Sequence, residues 1–145
     1  EGTLLSGLQA SDATVVRTPD GWWLFATTTA PGGSTWDSLS LFRADRLTGP
    51  WLPHPANPVL IDAGTARPAG AMRWVDGRLE RVAQDCRGGY GRGLAILRVE
   101  ELSMAAFRQT LAAQLAPPGS WSAVGCHTLN RSNRFETIDA LVAEG

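Results

Sequence analysis

An aspartate, an arginine and a histidine stand at matching places in three stretches of this chain: Asp12, Arg67 and His127. Brought to one place, they would offer a carboxylate acceptor, a planar fork of donors and an imidazole that can play either part. Each one alone is equally well explained as satisfying neighbouring backbone groups or as half of a buried ion pair. Three polar residues in register make convergence on one funnel the stronger reading. A second set lies in Arg81-Val82-Ala83-Gln84-Asp85-Cys86-Arg87-Gly88-Gly89-Tyr90-Gly91. There Arg81, Gln84, Asp85 and Tyr90 supply two donors, an acceptor and a stacking ring, the kit a sugar site uses. The plainer alternative for that run is a solvated hairpin loop whose glycines serve turn geometry.

The elements that must carry these residues are written as a repeat. Asp12 opens an extended run to Arg17, a turn follows at Pro19-Asp20-Gly21, and a second run continues from Trp22 to Thr27. Arg67 to Trp74, the turn Asp76-Gly77, and Arg78 to Gln84 repeat that grammar. His127 to Asn130, a turn near Ser132-Asn133, and Arg134 to Asp139 begin it again. Asp-Gly between extended runs signals a hairpin, because a type I′ turn needs positive φ at both central residues. Third strands are expected at Leu39–Ala44 and Leu94–Val99, and short fourth strands at Gly49–Leu52 and from Phe107 to Leu111.

Four antiparallel strands in a repeat of roughly 55 to 60 residues match a β-propeller blade better than a β-sandwich, which leaves the period unexplained. The expected fold is therefore all-β, a partial propeller of about two and a half blades. One blade spans about residues 12–55, a second about 66–116, and the opening hairpin of a third about 125–142, in a single domain over 1–145. In a propeller the first strand of each blade lines the central channel, which would bring Asp12, Arg67 and His127 together. Glu100 to Leu115 has a helical composition, whereas the repeat requires a turn and an outer strand there. The four prolines between Pro50 and Pro58 require a stiff, irregular crossing, with His54 a structural loop residue within it. A ring left open exposes apolar faces, so missing blades are expected from a preceding region, a second polypeptide or a partner copy.

The 145 residues suffice for a core, and a net charge of −1 gives no electrostatic reason to favour nucleic acid or an anionic membrane. All 13 basic residues are arginine. No apolar run approaches the roughly 20 residues of a membrane span, and Glu1-Gly2-Thr3-Leu4-Leu5 carries no signal-peptide core. Cys86 and Cys126 fit neither a metal pair nor a redox motif and read as small buried thiols. No metal-ligand spacing, phosphate-cradling loop or nucleophile elbow is present, so neither metal nor cofactor is expected. Most of the six tryptophans should pack the core, with one or two serving as platforms.

These motifs together resemble the C-terminal part of a five-bladed propeller of the arabinanase and xylosidase type. More narrowly, they resemble the N-terminal propeller domain of plant glucosamine inositolphosphorylceramide transferases and their bacterial relatives. The resemblance rests on Asp20-Gly21-Trp22-Trp23-Leu24-Phe25, Gly49-Pro50-Trp51 with His54-Pro55 and Asn57-Pro58, Ala66-Arg67-Pro68-Ala69-Gly70, Arg81 with Gln84-Asp85-Cys86, Tyr90-Gly91 and His127-Thr128. It implies a carbohydrate or glycan ligand, held by Arg67, Arg81, Gln84, Asp85, Tyr90 and His127. In such glycosidases a carboxylate base and a general acid come from different blades. Asp12 is the one catalytic candidate at an inner-strand start, and no glutamate stands at an equivalent place. Val82 and Gln109 occupy positions where the relatives lead one to expect proline and glutamate. The implied function is a sugar-recognition propeller; the alternatives are a glycoside hydrolase completed by other blades and a protein-interaction propeller.

Overall fold

A computed structural model describes residues 3–29, 34–117 and 119–143, apart from the side chain of Trp121. Four consecutive strands form the first sheet: β1 Ala10–Thr18, β2 Gly21–Thr28, β3 Ser38–Ala44 and β4 Leu52–Pro53, joined by β5 Leu60–Ile61, which also pairs with β3. The second sheet runs β6 Arg73–Val75, β7 Arg78–Asp85, β8 Gly93–Leu102 and β9 Phe107–Leu115, again in chain order. All pairings are antiparallel. A single 3₁₀ turn at Gly119–Trp121 leads to β10 Ala123–Gly125, β11 Leu129–Arg131, β12 Glu136–Ile138 and β13 Leu141–Val142, where β11 pairs with β12 and β10 with β13. Two sheets, each with four strands in up-and-down order and the first extended by β5, and the hairpin of a third make this an all-β partial propeller.

Blade stacking explains the burial pattern. β2 and β7 are buried along almost their whole length without alternation, because both faces of an inner blade strand are covered. Trp23 and Phe25 on one face of β2 join Leu39, Leu41 and Leu79 in the core between the two blades. There Phe25 meets Phe107 of β9 edge to face, with centroids 5.9 Å apart. The alternate residues Leu24 and Ala26 pack with Phe42, Ala44 and Trp51, and Leu5 closes that side. Ala69, Val82 and Leu94 bury the far face of the second blade against Cys126 and Leu129 of the third. Both cysteines are buried free thiols.

Three local expectations change. The Asp76-Gly77 turn has positive φ at both residues, as a type I′ turn requires, but the first hairpin turns at Pro19-Asp20 with Thr18 paired to Gly21. Proline fixes φ negative, so that turn cannot be type I′. The inner strand expected from Arg67 to Trp74 is split: Arg67 and Pro68 bridge to Gln84 and Ala83, and pairing resumes only at Arg73. The interruption falls at Gly70, where φ is +150° and a Cβ would run into the carbonyl of Leu129. There the third hairpin docks, Leu129 donating its N–H to Ala69 O at 2.9 Å and Ala71 donating to Asn130 Oδ1 at 2.9 Å. The first blade's outer strand keeps only Leu52–Pro53, because the prolines remove ladder donors. The side-chain amide of Asn57 takes over, accepting from Leu41 N and donating to Leu41 O, each at 2.8 Å.

The helix-like segment is extended, as the repeat requires: β8 runs to Leu102, Ser103 caps the turn, and β9 follows. His54 is buried inside the proline-rich crossing and bridges the blades, its Nε2 lying 3.0 Å from Ser103 O.

Candidate functional site

Asp12 reaches the inner end of the blades because β1 is irregular at that point. Ser11 pairs with Thr27 but Thr14 with Phe25, so Asp12 and Ala13 together oppose Ala26. Asp12 adopts φ +52°, a left-handed conformation that aspartate tolerates better than most residues. A bulge of this kind re-aims a side chain. Here it sends the carboxylate toward the second blade, where Oδ2 accepts from Arg67 Nε at 2.5 Å and from Gln84 Nε2 at 3.3 Å. Arg67 also donates from Nη1 to Thr35 O at 2.7 Å. Arg67 and Gln84 are buried, while Asp12 is partly open to solvent.

Tyr90 lies over this network. The loop from Cys86 to Arg92 presents it, with positive φ at Gly88, Gly89 and Gly91 and with Gly91 O bound to the N–H of Cys126. The Arg67 guanidinium carbon sits 4.9 Å from the Tyr90 ring centroid, a cation–π distance. Trp36 stacks near Tyr90 at 5.9 Å with 26° between planes, and the His127 imidazole lies 5.0 Å away at 34°. Tyr90 remains 44% exposed, so this aromatic row faces solvent.

His127 is held from behind. Asp139 Oδ1 accepts the N–H groups of His127 and Thr128 at 2.8 and 2.7 Å, and Oδ2 lies 2.7 Å from His127 Nδ1. Burial raises the Asp139 carboxyl, but the N–H groups of Thr128 and His127 and the imidazole outweigh it and hold it below the usual carboxylate range.

The structure thus brings together Asp12, Arg67, Gln84, Tyr90 and His127. Two further candidates lie apart from them. Arg81 is fully buried between the blades, donating to Thr65 O and Gln109 Oε1 from Nη1, each at 2.8 Å, and to Ala66 O from Nη2 at 2.6 Å. Its guanidinium packs over Phe25, and burial pushes its pKa down to about 9. Its position is internal because side chains alternate along β7, placing Arg81 on the face toward the first blade. Asp85 is gripped bidentately by Arg87, at 3.0 and 2.7 Å, and the hydrogen bond from Arg87 holds its carboxyl below the usual range.

Trp36 and Asp139 belong to the cluster although the sequence did not single them out. Asp139 was within reach of a register argument: pairing of Leu129 with Ile138 and Asn130 with Thr137, continued by one residue, sets it opposite Thr128. Trp36 stands just ahead of β3, outside any strand, and no periodicity points to it.

The model of the glucosamine inositolphosphorylceramide transferase 1 N-terminal family matches residues 5–132. The rice (Oryza sativa subsp. japonica) glucosamine inositolphosphorylceramide transferase 1 is 31% identical over 101 residues, covering 68% of this chain. Its Arabidopsis thaliana counterpart is 30% identical over 124 residues, covering 80%. The chain spans only 14% and 16% of those two relatives. A crystal structure of a thermostable family-43 glycoside hydrolase superposes with a TM-score of 0.47 at 16% identity, over 75% of this chain and 37% of its own. With the family model matched over residues 5–132, this chain belongs to the glucosamine inositolphosphorylceramide transferase N-terminal family.

Proposed function

We propose that this chain is a carbohydrate-recognition propeller of glycosidase-like type, working within a larger carbohydrate-active protein whose further blades complete the ring. The observation that carries this reading is the solvent-facing row Trp36–Tyr90–His127 set on the Asp12–Arg67–Gln84 network. A sugar or cyclitol presents C–H faces and hydroxyl edges, which an aromatic platform beside fixed donors and acceptors complements. The names of the rice and Arabidopsis relatives join a glucosamine to an inositolphosphorylceramide, so a polyhydroxylated ligand of that class suits the site. Arg67 is the residue for orientation, Tyr90 for stacking and Asp12 for accepting a hydroxyl proton. Glycosidic hydrolysis needs two carboxyls with separated pKa values. Of the cluster's two carboxylates, Asp139 is committed to two backbone N–H groups and the His127 imidazole, which leaves Asp12 to meet a ligand and favours binding over cleavage.

The test is calorimetric titration of the purified protein with myo-inositol, glucosamine, oligosaccharides and aryl glycosides, beside its Tyr90→Ala variant. Saturable binding that the variant loses while its melting temperature holds is the expected result. Release of the aryl group would move the chain to the hydrolases. An absence of binding across the panel would favour a protein-interaction propeller.

A further inference from the structure

The chain has two histidines, and their hydrogen-bond partners assign a ring proton to opposite nitrogens. His54 accepts the N–H of Ala56 at Nδ1, at 3.1 Å, so its ring proton sits on Nε2 and is donated to Ser103 O. His127 is reversed. Its Nδ1 faces Asp139 Oδ2 at 2.7 Å, and the same carboxylate is anchored by two backbone N–H groups. An ionised carboxylate only accepts, so the Nδ1 of His127 carries the proton and Nε2 of the neutral ring carries the lone pair. The ring edge bearing Cδ2 and Nε2 lies against Gly91, where a side chain would occupy its place, and the imidazole is 28% exposed beside Tyr90.

We propose that Nε2 of His127 is the acceptor that reads a ligand hydroxyl at this site, and that Asp139 is the positioning residue that fixes its tautomer. This rests on the carbohydrate-recognition reading and adds to it a specificity-determining atom. The site is otherwise rich in donors already turned toward Asp12, from Arg67 and Gln84. His127 supplies an acceptor at a second point along the aromatic row, and a polyol gripped at two separated edges is oriented as well as held.

The experiment is long-range ¹H–¹⁵N correlation of the imidazoles in the labelled protein, alone and with myo-inositol or glucosamine added. His54 should report an Nε2 proton and His127 an Nδ1 proton, and ligand should shift the His127 Nε2 resonance while leaving His54 unchanged. Asp139→Asn should mix the His127 tautomers and weaken binding about three- to tenfold. His127→Phe should lose the same affinity while keeping the stack on Tyr90. An Nε2 proton on His127 in the wild-type protein overturns the inference before any variant is made. Binding that depends on Tyr90 but leaves His127 Nε2 unmoved overturns it while the carbohydrate reading stands. If neither myo-inositol nor glucosamine binds, the inference falls, and the carbohydrate reading falls with it only if the oligosaccharides and aryl glycosides also fail to bind.

Discussion

Asp12 and Arg67 are 55 residues apart in sequence and 2.5 Å apart in space, Oδ2 of the first against Nε of the second. The pair joins the first blade to the second at the inner ends of their sheets, and its two halves differ in exposure. The Arg67 side chain is 11% exposed and that of Asp12 38%, so the cation depends on the pair more than the anion does.

That asymmetry makes a prediction. Asp12→Ala should destabilise the protein by about 1–2 kcal/mol, less than the 3–5 kcal/mol of a fully buried pair because water reaches the aspartate. Arg67→Ala should lower ligand affinity more than it lowers stability. The check is a double-mutant cycle followed by both melting and titration, in which removing both charges recovers part of the stability lost with Asp12 alone. A melt that collapses in Arg67→Ala while affinity survives would assign the arginine to structure.

Arg81 should behave in the opposite way. Truncation to alanine leaves the Ala66 carbonyl and Gln109 Oε1 without their side-chain donor, leaves Thr65 O only the 3.5 Å bond from Gln109 Nε2, and opens a cavity, for a loss of about 3–5 kcal/mol. Gln109→Glu, the residue expected from the relatives, would give this buried cation a carboxylate. Charged hydrogen bonds contribute about 1.5–3 kcal/mol, so denaturant melts should show a gain in stability, reduced by repulsion from Thr65 O. A neutral or lower midpoint in Gln109→Glu would mean that the surrounding carbonyls already satisfy the guanidinium.

Acid should weaken the third hairpin through Asp139. Its folded pKa lies below the ordinary value of 3.8, so the folded state gives up the proton more readily than the unfolded chain. The stabilisation is complete above the unfolded value and is lost as pH falls through the folded one. Thermal melts of the protein and of Asp139→Asn should therefore differ most at neutral pH, and the gap should narrow as pH falls from there to below the ordinary aspartate value. A gap that stays constant over that range would remove the carboxylate's charge from the explanation.

Gly91→Ala should uncouple Tyr90 from His127. Gly91 has φ +64°, which costs an L-residue about 1 kcal/mol, and its new methyl would displace the imidazole ring. A modest drop in melting temperature with a large change in the His127 resonances is the expected outcome; unchanged resonances would show that the loop yields instead.

The 145 residues taken alone should associate. Val15, Leu52, Phe135, Leu141 and Val142 are exposed on the first and third blades, Phe135 at 70%. Apolar surface left open on terminal blades is what a further blade or a second copy would cover. Light scattering after size exclusion is the check, and a 15.5 kDa monomer with a cooperative melt would contradict the expectation.

The sequence by itself determined the blades. Turn chemistry and alternation are local, so the repeat located most of the strands and kept Glu100 to Leu115 extended against its helical composition. It also placed Asp12, Arg67 and His127 at matching strand starts, and the structure connects them through Tyr90. Only the tertiary structure decided which neighbours join them. Arg81 and Gln84 are three residues apart on β7, yet Arg81 is spent on carbonyls between the blades while Gln84, near the strand's end, reaches Asp12 of the first blade. The bulge that aims Asp12, the bend at Gly70 and the placement of Trp36 depend on how one blade is rotated against the next. That rotation is set by packing between residues far apart in the chain, and a period read along one strand carries no information about it.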